Sequence, residues 1–87
     1  MNAAVYFVIV SQLDGRFFTG FTPMVSHFSS IGYEYTKNPA EALKITNEDF
    51  ARNLYAVLKS LHSGIKLVLV EETEVTRPHY HFEEVAR

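Results

Sequence analysis

His79, His81 and Glu83 occupy alternate positions in the run Pro78-His79-Tyr80-His81-Phe82-Glu83-Glu84. In an extended backbone alternate side chains point the same way, so the three would present the two-histidine, one-carboxylate ligand set of a divalent metal. A helical turn would scatter them. This is the sharpest chemical pattern in the chain. Ser26, His27, Ser29 and Ser30 place hydroxyls beside a base, but no orienting acid or oxyanion loop accompanies them, and they read as a polar loop. Glu71, Glu72 and Glu74 gather negative charge, with Asp14 and Glu34 as further contributors, and read as a solvated strand end. The glycines at 15, 20, 32 and 64 match neither a phosphate-binding loop nor a dinucleotide fingerprint. No catalytic residue and no cofactor is expected, and a conventional enzyme lacks a supporting constellation.

The cations are scattered singly. Eight Lys and Arg against ten Asp and Glu leave a net charge of -2, so no basic stripe draws in nucleic acid. Were the chain nevertheless a nucleic-acid-binding domain, Arg16 and Lys37 would be its phosphate contacts. Tyr33 and Tyr35 lie on one side of an alternating segment and read as core rather than as a stacking platform.

Eighty-seven residues, 47% hydrophobic, give room for one core and for one or two layers of secondary structure. The absence of cysteine rules out disulfides and thiolate metal sites and fits a reducing compartment, so the expected location is cytoplasmic. The apolar run 5–10 is too short for a membrane span and has no basic leader before it, so it reads as a buried strand and no membrane partner is expected.

The pattern predicts an α+β domain over 1–76. Strands are expected at 5–10, 16–21, 31–36 and from 65 onward, making a four-stranded, mainly antiparallel sheet in the element order β-β-β-α(short)-α-β. Asp14-Gly15 signals a two-residue hairpin turn that sets Leu13 opposite Arg16. Residues 22–30 read as a loop and 77–87 as a tail that docks or frays. Asn38-Pro39 opens a short helical turn to about Lys44, and Thr46 caps a long helix running to His62. Phe50, Leu54, Val57, Leu58 and Leu61, widened by Ala51, form the stripe that would pack this helix on one sheet face. A helical crossover then places the last strand beside the first and parallel to it.

One helix covers one face, yet the first and last of these strands are apolar on both sides. Something must cover the face made by Tyr6, Val8, Val10, Lys66, Val68 and Val70: a protein partner or a second copy, as in a homodimer, or else residues 22–30 or the C-terminal tail of the chain itself.

The hairpin followed by Tyr33-Glu34-Tyr35-Thr36-Lys37-Asn38-Pro39-Ala40-Glu41-Ala42-Leu43, one amphipathic helix and a terminal strand resembles small uncharacterised proteins of Gram-positive phages and mobile elements. The resemblance covers about residues 5–75. The strand-helix order is also similar to the three-strand, one-helix DNA-binding domains of phage-type integrases, whose sheets are basic where this one carries Glu34.

Overall fold

Residues 3–23, 31–61, 64–74 and 78–85 are described in a computed structural model of the chain. Asp14 and Gly15 do reverse it, but with a longer turn than expected. The Ser11 N–H donates to the Arg16 carbonyl at 2.8 Å and Val10 faces Phe17, so the loop holds the four residues 12–15. Asp14 Oδ1 accepts the Arg16 N–H at 3.1 Å, the donor that a tighter ladder through Leu13 would need. Gly15, at a φ of +73°, supplies the left-handed step.

This turn joins β1 (Ala3–Ser11) to β2 (Phe17–Pro23), which pairs with β3 (Ile31–Thr36) through a bulge at Thr19 and Gly20. A single 3-10 turn (Pro39–Glu41), α1 (Glu48–Leu61), β4 (Ile65–Glu74) and β5 (Pro78–Glu84) follow. The sheet order is β3-β2-β1-β4-β5, and every pairing is antiparallel.

The expected architecture is therefore corrected. The protein is α+β, but the described residues form five strands rather than four, and the one α-helix among them is a short one of 14 residues. β4 lies beside β1 and runs against it, not with it. The reason lies in the segment read as the end of a helical turn. Asn38 Oδ1 caps the 3-10 turn through the Ala40 N–H, and Ala42 is already extended. Ile45 and Phe7 then exchange both main-chain hydrogen bonds, at 2.7 and 3.0 Å, while the Leu43 N–H donates to the Phe18 carbonyl of β2. Beyond Val10 and Phe17 no further β1–β2 pair is made among the described residues, and this segment bridges the two diverging strands. It adds one reversal of chain direction, so the strand after α1 arrives antiparallel.

Asn47, not Thr46, caps α1, its Oδ1 accepting the Phe50 N–H at 2.9 Å. On the helix-covered face Phe7, Ile9, Phe18, Ile45, Ile65 and Leu67 pack with Ala51 and Leu58 of α1. On the opposite face Tyr6, Val8, Val10, Val68 and Val70 form a second cluster with Ala42. Residues 78–84, read as a tail, are an edge strand; Pro78 opens it, where a missing N–H costs little.

Candidate functional site

The face expected to stand open is closed. Tyr6, Val8, Val10, Val68 and Val70 are all buried within the chain, and Lys66 is half-buried. Phe17 from β2 and Phe82 from β5 lean inward over β1 and β4 until their rings lie 5.7 Å apart, and Tyr80 stacks on Phe82 at 6.0 Å. Across a flat sheet their strands would stand about 14 Å apart. Val10, Phe17, Lys66, Val68, Phe82 and Glu84 enclose only about 230 Å³ between them. The cover comes from Phe17 and from β5, in the C-terminal segment that the sequence offers as one candidate cover, and it leaves Tyr6, Val8, Val10, Val68 and Val70 buried.

A polar cluster that sequence reasoning missed sits on the same face. The Tyr6 hydroxyl donates to Glu72 Oε1 at 2.7 Å, Lys44 Nζ lies 3.9 Å from that oxygen, and the ammonium stands 5.3 Å from the Tyr6 ring centre. Burial, reinforced by the hydrogen bond to Glu72 and its charge, pushes the Tyr6 phenol well above its ordinary range. A phenol held so firmly protonated is a poor proton donor, and the cluster reads as an anchor between β1, β4 and the bridging segment. Its signal in sequence was an acidic strand end, which divides: Glu71 is exposed while Glu72 is half-buried against Tyr6.

β5 does align His79, His81 and Glu83 along one face, all three exposed. Among the described residues, however, no three His, Asp or Glu side chains are placed to hold a metal ion. Alternate strand positions stand about 7 Å apart with parallel side chains, whereas ligand atoms must converge to about 2 Å from one ion. Opposite them on β4 are Thr73, Glu71 and Leu69. The Ser26, His27, Ser29 and Ser30 group lies outside the described residues.

Pairing of Phe17 with Thr36 sets Arg16 and Lys37 at one end of the β2–β3 ladder. Arg16 is engaged there by Asp14 at 3.4 Å, so the pair makes no basic stripe. Tyr35 packs edge-on against Phe18 at 5.8 Å as a core ring. No helix among the described residues is long and apolar enough to cross a membrane.

No protein family, curated protein or solved structure matches this chain.

Two surfaces stand out among the described residues. The first is on α1, which is rotated from the expected setting. Ala51 and Leu58 face the sheet, with Leu54 and Tyr55 partly buried beside them, while Phe50, Val57 and Leu61 are 56%, 56% and 61% exposed. The second is the outer edge of β5, with which no strand pairs among the described residues. On the other flank of α1, away from the apolar stripe, runs a cleft of about 520 Å³ lined by Arg52, Tyr55, Lys59, Leu67 and Val85. Its cations are engaged locally, Arg52 by Glu48 at 2.9 Å and Lys59 by the Tyr55 hydroxyl at 3.0 Å.

Proposed function

We propose that this protein is a self-associating, protein-binding module that docks through the outer stripe of α1. One observation carries the reading: Phe50, Val57 and Leu61, each more than half exposed, lie in line with Leu54 along one flank of a helix whose sheet-facing residues Ala51 and Leu58 are fully buried. Three large apolar side chains in one solvated stripe mark a contact surface more often than isolated exposed ones do.

A second copy of the chain is the occupant that fits. The spacing of Phe50, Leu54, Val57 and Leu61 is 4, 3, 4, the seam of a coiled coil, and it reads the same in both directions. An antiparallel two-fold pair therefore sets Phe50 level with Leu61, and Leu54 level with Val57, of the other copy, as an isologous contact requires. The same arrangement lays the amino end of each helix beside the carboxyl end of the other, the order that helix dipoles favour.

A contact of about four turns on each side is at the small end of specific interfaces, so the association is expected to depend on concentration. Sedimentation equilibrium tests the reading. The wild-type mass is expected to exceed 9.9 kDa and to fall in Val57→Asp, a substitution at a solvated position. A wild-type monomer, or a mass that Val57→Asp leaves unchanged, contradicts it.

A further inference from the structure

We infer that the outer edge of β5 is a second self-pairing surface, and that two copies join there as antiparallel strands with Phe82 opposite Phe82 and His81 opposite Glu83. The inference goes beyond the α1 contact and rests on different residues.

The edge is available and its register is specified. The Val85 N–H donates to the Leu67 carbonyl at 2.9 Å, and the ladder continues with Glu83 opposite Leu69 and His81 opposite Glu71. In an antiparallel pair the hydrogen-bonding direction alternates along the strand. The main-chain groups of His81 and Glu83 thus serve β4, and those of Phe82 and Glu84 point outward. An outward row of donors and acceptors is a template for another strand; of the features that blunt such an edge β5 carries Pro78 at its first position and carboxylates at Glu83 and Glu84, but no Lys and no bulge among the described residues.

A second copy is favoured because the strand complements itself. With Phe82 on the two-fold axis, the two Phe82 residues exchange both main-chain hydrogen bonds. The Phe82 ring, 44% exposed, then extends the aromatic row from Phe17 across the junction. On the helix side His81 faces Glu83 of the other copy, twice by symmetry, in the close non-hydrogen-bonded spacing. Neighbouring registers lose these features. A slip one way opposes His81 to His81 and so gives up both His81–Glu83 pairs. A slip the other way opposes Glu83 to Glu83, a like-charge pair directly across the strands. The His81 and Glu83 pattern that suggested a metal site thus finds its use in matching strands.

Cysteine cross-linking tests this, because the chain has no cysteine of its own. In the Val57→Asp background, which removes the α1 contact, Phe82→Cys is expected to form a disulfide dimer on air oxidation. The Cα separation of about 5.5 Å for such a pair suits the bond. Mixing His81→Cys with Glu83→Cys should give the mixed dimer in preference to either homodimer. Glu84→Pro, which deletes an outward N–H that the ladder to β4 does not use and leaves the aromatic cover in place, should weaken the residual association by about tenfold or more. The inference is overturned if Phe82→Cys stays monomeric on oxidation, or if His81→Cys joins itself as readily as it joins Glu83→Cys. It is overturned too if Val57→Asp alone yields a strict monomer, an outcome that leaves the α1 contact standing.

Discussion

Tyr6 ties three parts of the molecule together through one hydroxyl. Its 2.7 Å bond to Glu72 is charge-assisted and half-shielded, and Lys44 closes the group from the bridging segment. Tyr6→Phe should lower stability by about 1–2 kcal/mol, measured as a shift of the urea midpoint at unchanged slope. The same residue sets an alkaline limit. Its folded-state pKa lies above the unfolded value, so the stability it confers is complete below about pH 10 and is lost as pH rises, because the unfolded chain releases the proton that the folded one retains. Urea melts between neutral and alkaline pH should show a steeper loss for wild type than for Tyr6→Phe, and parallel losses contradict this role. At the hairpin, Gly15→Ala forces a side chain into the left-handed region and should cost about 1 kcal/mol by the same assay.

At the scale of elements, the rotation of α1 separates two kinds of apolar residue that look alike in sequence. Leu58, fully buried, should cost about 2–5 kcal/mol on truncation to Ala, whereas Val57→Ala one residue earlier should leave monomer stability within about 0.5 kcal/mol. Thermal melts of the two variants check the setting directly, and equal losses contradict it. The helix itself was legible from its 3.6-residue period and its acidic start, and both two-sided strands from their β-branched runs. The rotation was not, because period alone does not reveal that small Ala51, rather than Phe50, lets the backbone approach the sheet. Nor was the cap: Thr46 and Asn47 are both capping types, and only geometry shows that Asn47 holds the Phe50 N–H. Residues 43–45 were illegible for a related reason, since their hydrogen bonds go to β1 and β2, partners some 25 to 40 residues away in sequence.

At the scale of the whole molecule, one misread element changed the functional surface. His79, Tyr80, His81 and Phe82 alternate as a strand should, but after Pro78 that alternation was compatible with a docked tail. Once β5 joins the sheet, its Tyr80 and Phe82, with Phe17, cover the face that would otherwise be open. The apolar excess visible in composition is then resolved partly inside the chain and partly by contact between copies. Self-association is the central claim, and solution mass decides it. Sedimentation equilibrium over a concentration series should show wild type heavier than 9.9 kDa, Val57→Asp and Glu84→Pro each lighter than wild type, and the double variant at the monomer mass. A wild-type protein that remains at the monomer mass at every concentration contradicts the account.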